Sequence, residues 1–392
     1  MTDLETRAAP PRAGALRRAA PALAGYAAVR ALGLLALFLW SAARDKSAYT
    51  LLTARWDALW YVRVAELGYG YEVRPANGDV HSNLAFFPLL PWLERLVAAV
   101  SPLSYADGGF LVSLVASLAA AWGIFAVADH VYGRRAGVCA VLLWAVLPVG
   151  IVQSMAYSES LFTALAAWAL YAVLTGRWVT AGALALFAGL TRPVGLAVAA
   201  AVWVAALTSF VRDRSAPGQD GTAEPATRVR RVLGMALAPL GTAGYVLWVG
   251  HRTGKGPLGY LDVQAGWRNG FDGGYAFARF VAEKLTSFPS ALAGAGLVAG
   301  VASVVWLYVT GVRQRQPLPL LVYSGVVTAL ALCASSYFGS KPRLLLPAFP
   351  LLLPLALALP KVRLRRSATI LGAVAVASAV YGAFWLNGSG PP

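Results

Sequence analysis

The chain has 392 residues, 58% of them hydrophobic and 13% charged, with 33 Lys and Arg against 17 Asp and Glu for a formal net charge of +16. A mean hydropathy of +0.63 excludes a water-soluble globular protein, which needs far more polar surface to cover its core. The positive charge is not the footprint of a nucleic-acid partner either, because the basic residues fall in short clusters between apolar segments, the pattern of cytoplasmic loops in a membrane protein.

The polar first 20 residues carry Arg12, Arg17 and Arg18 ahead of an apolar run over 21–43. Ser41-Ala42-Ala43 would pass as a signal-peptide cleavage site, but the run is long for that purpose. It reads as a retained first helix, with Arg30 snorkelling toward the inner face. Further apolar segments near 109–131, 136–152, 158–174, 178–190, 193–211, 232–250, 289–310, 318–336, 343–360 and 367–386 bring the expected spans to eleven.

The segment 85–100 is apolar but holds two Pro, Glu94 and Arg95. If it does not span, the inner loops collect 18 basic residues against six acids, while the outer side holds 14 basic residues and 11 acids. If it spans, every later basic loop faces outward, against the positive-inside rule. The segment is therefore expected to be an interfacial or re-entrant helix within a first outer loop, 44–108. On this topology the N-terminus is cytoplasmic, 212–231 is a flexible cytoplasmic linker, and 251–288 is an outer loop. No internal repeat or second soluble domain is visible, so 1–392 reads as one all-α polytopic membrane domain.

Trp56, Leu59, Trp60, Arg63, Val64 and Leu67 recur at helical spacing, so 54–67 is expected to form an amphipathic helix in the membrane interface, ended by Gly68. Asp57 stands in its first turn, where an acid also complements the helix N-terminus. A carboxylate at that depth can equally serve as a general base. Glu159 lies at the outer end of a span between Ser158 and Ser160, where it would pair with Arg192, orient a substrate hydroxyl or cap the helix. Thr191-Arg192-Pro193 and Ser340-Lys341-Pro342-Arg343 each read as a cap, a basic residue and a proline opening a helix, an arrangement suited to phosphate or to lipid headgroups. His81 is a further loop candidate for phosphate or sugar. The 251–288 loop mixes Tyr260, Asp262, Gln264, Trp267, Arg268, Asn269, Asp272 and Tyr275, a blend that suits carbohydrate without singling out a residue. Cys139 and Cys333 lie inside apolar segments and His81, His130 and His251 are not at ligand spacing, so neither a disulfide nor a zinc framework is expected.

The string Trp56-Asp57-Ala58-Leu59-Trp60-Tyr61, then Gly68-Tyr69 and Ala85-Phe86-Phe87-Pro88-Leu89-Leu90-Pro91, resembles the PIG-V mannosyltransferases. The likeness continues at Tyr157-Ser158-Glu159-Ser160-Leu161-Phe162, Leu190-Thr191-Arg192-Pro193, Pro342-Arg343 and Leu346-Pro347-Ala348-Phe349-Pro350. It implies the GT-C fold class, a catalytic Asp57 and a polyprenyl- or dolichyl-phosphate mannose donor. Trp56, Trp60, Tyr61, His81, Glu159, Arg192, Lys341 and Arg343 would then contact substrate. Mannose would move to an outer-face hydroxyl in one displacement with inversion. The leaving lipid phosphate is stable as an anion, so the chemistry does not demand a metal, and a divalent cation is left open. Abundant Ala and an excess of Arg over Lys suggest a bacterial membrane, which leaves a glycolipid, a lipoglycan or a protein as acceptor. The competing expectation is a transporter or flippase of lipid-linked sugars, disfavoured because ionisable groups fall at the ends of spans rather than near their middles.

Overall fold

Proline marks several of the breaks between apolar helices, at Pro148, Pro239 and Pro347. The computed structural model describes residues 12–214, 225–335, 337–388 and 390. From the N-terminus come α1 (Arg12–Ala42), α2 (Ala48–Thr53), α3 (Asp57–Leu67), α4 (Leu89–Val100), α5 (Tyr105–Tyr132), α6 (Arg134–Ala145), α7 (Ser158–Leu174), α8 (Trp178–Gly189) and α9 (Gly195–Arg214). Then follow α10 (Pro225–Leu237), α11 (Leu240–Arg252), α12 (Gly259–Gly266), α13 (Tyr275–Leu285), α14 (Ser290–Arg313), α15 (Leu318–Cys333), α16 (Lys341–Leu345), α17 (Leu353–Ala358) and α18 (Leu364–Leu386). Two short antiparallel pairs tie loops together: β1 (Glu72–Val73) with β2 (His81–Ser82), and β3 (Gly270–Phe271) with β4 (Ala334–Ser335).

Each of the eleven expected spans has a helical counterpart, but the number eleven does not stand as a count of full-length spans. Among the described residues, six stretches are long and apolar enough to cross a membrane: α1, α5, α9, α10 with α11, α14 and α18. A seventh forms if the pair Phe338–Leu345 and Phe349–Lys361, bent by 76°, counts as one. The remaining apolar helices α7, α8 and α15 have 17, 12 and 16 residues, at most about 26 Å at 1.5 Å per residue, short of a hydrocarbon layer about 30 Å thick. The expected span 136–152 stops as α6 at Ala145 because Pro148 cannot continue it, and 150–154 turns as a 3-10 helix.

That break explains Arg30. Rather than snorkelling toward the inner face, Arg30 is 7% exposed and donates to the backbone carbonyls of Ala145 and Gly150. Gln153 Nε2 donates to the Trp144 carbonyl at 2.8 Å and Ser378 Oγ to that of Leu147 at 2.6 Å. A broken helix inside a bilayer needs such side-chain donors, since no water replaces the lost ladder bonds. The linker is also narrower than 212–231: its ends belong to α9 and α10, and 215–224 lie outside the described residues, as do 1–11. Where α8 meets α10 and α11, glycines allow backbone contact; a Cβ on Gly182 would collide with Gly234 and one on Gly241 with the Leu186 carbonyl.

Helix α4, the ambiguous segment, has 12 residues, about 18 Å, and cannot cross. Trp92, Leu96 and Val100 form an exposed apolar stripe at a spacing of four, while Leu90 and Glu94 face inward onto α5. Glu94 is 0% exposed, and its carboxyl oxygens have no hydrogen-bond partner among the described residues. Burial raises its pKa well above the ordinary carboxyl value, so it is held as the neutral acid. Raised in the fold and ordinary in the unfolded chain, this group contributes fully below the ordinary carboxyl range, and stability falls as pH rises through it toward the folded pKa. Glu94→Gln, which mimics the neutral acid, is expected to melt at least a few degrees above wild type at pH 8 and level with it at pH 4, a comparison that thermal unfolding in detergent decides.

Candidate active site

Asp57 is aimed by an unusual backbone. Trp56, the residue before α3, has φ of 51° and ψ of −125°, a left-handed conformation that costs a non-glycine residue about 1–3 kcal/mol. The Arg55 guanidinium lies 4.1 Å from the Trp56 ring centroid. The turn starts α3 at Asp57 itself, three residues later than expected, and Gly68 ends it with φ of 74° as anticipated.

The carboxylate of Asp57 meets Arg343, with Nη1 to Oδ2 at 2.8 Å. Arg343 also places Nε 3.3 Å from Glu159 Oε1, and the same oxygen is paired with Arg192. Four charges from α3, α16, the first turn of α7 and the α8–α9 turn thus alternate in sign: Asp57, Arg343, Glu159, Arg192. Burial is deepest at Glu159, with side-chain exposures of 27% for Asp57, 9% for Arg343, 1% for Glu159 and 15% for Arg192. Tyr61 is buried and its hydroxyl shares a 2.7 Å hydrogen bond with Ser158 Oγ; burial pushes its phenol up. Arg343 lies with Cζ 5.1 Å from the Tyr157 ring centroid, and Ser113 Oγ fixes the Tyr157 carbonyl at 3.0 Å.

The segment that carries Arg343 is irregular. Trp144 Nε1 donates to the Leu346 carbonyl at 3.0 Å and the Tyr323 hydroxyl to that of Pro347 at 2.9 Å, holding the bend after α16. Lys341 was expected at the donor phosphate, and the structure gives its ammonium another task. Nζ donates to the carbonyls of Ala331, Leu332 and Ala334 at 2.9, 3.2 and 2.8 Å, closing the end of α15 with all three of its N–H groups. Lys341→Met is therefore expected to lower stability by about 1–3 kcal/mol, the usual cost of orphaned buried polar groups. Turnover per folded molecule should be largely kept, as thermal unfolding beside an activity assay would show.

The helix openings also differ from expectation. Thr191 does not cap α9, which begins at Gly195; its hydroxyl donates to the Ala188 carbonyl. Helix α16 has five residues, and Ser340 makes no side-chain cap. Arg192 and Arg343 are thus placed by Glu159 rather than by helix N-termini.

Aromatic residues rim the Asp57 side. Trp60, one turn on from Asp57, stacks on Phe86 at 5.7 Å and meets Trp267 edge-on at 4.8 Å. His81 lies flat on Trp267 at 4.3 Å, and Trp267 Nε1 donates to the Ser82 carbonyl at 3.0 Å. The segment 251–288 is mostly helical (α12 and α13), and Arg268 to Asp79 at 2.8 Å also fastens it over the 44–108 segment. Tyr260 is buried, bonded by Gln264 at 2.6 Å, and Asp272 accepts from the Gly274 and Ala276 N–H groups. Trp267 is thus the residue of this segment that joins the site's aromatic wall; in sequence it was one aromatic among several. A cavity of about 890 Å³ lies apart from the four charges, between α13, α14 and the end of α15. Among the described residues, no group of three or more His, Cys, Asp and Glu side chains is placed to hold a metal ion.

The family model described as mannosyltransferase (PIG-V) matches residues 35–215, a stretch that includes Asp57, Glu159 and Arg192. Among solved structures, ArnT from Cupriavidus metallidurans bound to undecaprenyl phosphate superimposes with a TM-score of 0.52 at 16% identity, over 88% of this chain and 61% of that one. The archaeal oligosaccharyltransferase AglB from Archaeoglobus fulgidus, in complex with an inhibitory peptide and a dolichol-phosphate, gives 0.48 at 14% identity, over 94% of this chain and 56% of that one. The chain therefore spans less than two thirds of either neighbour. The fold is an all-α, polytopic, GT-C-like one. No curated protein sequence gives a match.

Proposed function

We propose that this chain, a multi-pass membrane glycosyltransferase by its PIG-V family match and its GT-C-like fold, moves mannose from a polyprenyl-phosphate-mannose donor to an acceptor hydroxyl, with Asp57 as base. The observation that carries the reading is the alternating row of Asp57, Arg343, Glu159 and Arg192, with its one accessible carboxylate beside an aromatic wall. Two arginines held by a single buried carboxylate present positive charge where a lipid phosphate would gain negative charge on leaving. ArnT, which shares the fold, carries undecaprenyl phosphate in its solved structure, a lipid phosphate of the kind such a donor leaves behind.

The reaction is a single displacement. The acceptor oxygen attacks the anomeric carbon as Asp57 takes its proton, and the bond to the phosphate oxygen breaks with its electron pair on that oxygen. Attack from the face opposite the leaving group inverts the centre. Arg343 and Arg192 stay beside the phosphate, and Trp60, Trp267 and His81 form the wall along which a sugar ring can lie. The excess of basic residues in 1–20, 212–231 and 361–366 supports an N-terminus in the cytoplasm and this site on the outer face.

The test is transfer by the purified, lipid-reconstituted protein, given labelled polyprenyl-phosphate mannose and host membrane extract as acceptor. Label appearing on an extract component supports the reading. Label that crosses the bilayer still attached to its lipid would replace it with transport. Tag accessibility at 220 and 270 tests the orientation: the 270 tag should react from outside and the 220 tag should not.

A further inference from the structure

Arg343 has one partner that cannot leave and one that can. Glu159 is 1% exposed, sits in the first turn of α7 and is also bound to Arg192, so it anchors Arg343 through Nε. Asp57 is 27% exposed and belongs to a helix whose preceding residue, Trp56, already holds a strained backbone. The site's geometry therefore opens at the Asp57–Arg343 contact before any other.

That contact also poses a chemical difficulty for the base. A carboxylate whose Oδ2 is engaged by a guanidinium 2.8 Å away is not free to face an acceptor hydroxyl. A general base needs the reverse. We propose that Arg343 exchanges partners when the donor binds: the donor phosphate displaces Asp57 from Nη1, and the released Asp57 carboxylate is then the base for the acceptor hydroxyl. This rests on the transferase reading above and adds the event that switches its base on.

The site goes from neutral to one net negative charge when the donor binds and keeps that charge through the transfer. Before binding, two arginines face two carboxylates. The phosphodiester adds one negative charge and offers a guanidinium better-matched oxygens. Asp57 then loses its counter-charge and gains a like charge nearby, and both changes strengthen its hold on a proton. During transfer the acceptor proton neutralises Asp57 while the phosphate goes from one negative charge to two, so negative charge moves away from Asp57 and toward Arg343 and Arg192. Neither charge has to be created against an empty background. Without donor, Asp57 stays masked, so the base is idle until there is something to attack.

The groups that face Asp57 are Arg343 of α16, Tyr157 and Glu159 at the start of α7, and Tyr61 on its own helix, with Arg192 beyond Glu159. Arginines and phenols keep their charge state between pH 5 and 8. Glu159 lies under two arginines throughout, so Asp57 is the carboxylate whose surroundings the exchange changes.

The experiment compares the acid limbs of two pH profiles for the reconstituted protein. One is kcat/KM for polyprenyl-phosphate mannose, which reports the free enzyme; the other is the single-turnover rate of the donor-saturated enzyme. Partner exchange puts the limb of the donor-saturated enzyme at least about one pH unit higher, a tenfold difference in proton affinity. In Arg343→Gln, or Arg343→Ala if the amide variant does not fold, Asp57 is unpaired in both states and the two limbs approach each other. Coincident limbs in the wild type overturn the exchange while leaving the transferase reading intact. Absence of any transfer by the wild type overturns that reading, and the exchange with it.

Discussion

Asp57→Asn is expected to lower transfer by about 10²–10⁴-fold, the usual contribution of a positioned base. The substitution keeps the shape of the side chain, and its carbonyl oxygen can sit where Oδ2 now lies, 2.8 Å from Arg343 Nη1. What it loses is the ability to hold a proton. Because the Asp57 side chain is 27% exposed, the lost charge is screened and the fold should survive. Binding of the lipid phosphate should persist or tighten, since Arg343 no longer has an anionic competitor. The measurement is transfer with labelled donor beside a melting curve and a lipid-binding isotherm. A folded Asn variant that transfers at the wild-type rate removes Asp57 from the mechanism.

Glu159→Gln is expected to act on stability first, by about 3–5 kcal/mol, the range for breaking a buried ion pair from one side. Glu159 is 1% exposed and is shared by Arg192 and Arg343, so an amide there leaves two guanidiniums facing each other across a neutral group. Ser160 and Thr163 do not compensate: Ser160 Oγ is bonded to the Gln153 carbonyl and Thr163 Oγ1 to that of Glu159. Replacing Glu159 and Arg192 together by leucines removes a buried charge of each sign and should restore part of the loss. Thermal unfolding of the two variants decides this. A double variant no better than Glu159→Gln would show that the cost lies in packing at the α7 start.

Much of this was readable from one chain. Counting basic residues per loop placed 85–100 as a helix that does not cross, and α4 is too short to cross. Acid in the first turn of α3, Gly68 at its end, and Glu159 within reach of Arg192 followed from spacing and from the cost of a bare carboxylate in an apolar helix. The misreadings share a physical cause. Arg30 was assigned to the membrane surface and Lys341 to a phosphate because each is a cation beside an apolar run; both instead satisfy carbonyls freed where helices end or break. Such breaks depend on which helix lies alongside, which periodicity along one helix does not reveal. Trp267 was likewise indistinguishable from its neighbours until His81 and Trp60 were seen against it. The Asp57–Arg343 contact is long-range in sequence, and no local pattern announces it.

The same long-range contact bears on the order in which the molecule can become active. Three of the four charges lie within residues 57–192, and the fourth waits for Arg343 on the short helix after α15. Closing a contact across that much chain comes after the local helices have formed. Until α16 docks, Glu159 and Arg192 have each other but Asp57 has no counter-charge, so an unfinished bundle has helices and no working centre. The complete charge row is therefore a late product of assembly, and a ribosome-bound chain stalled before α16 would hold the aromatic wall, Asp57, Glu159 and Arg192 while lacking the cation that brings them into register.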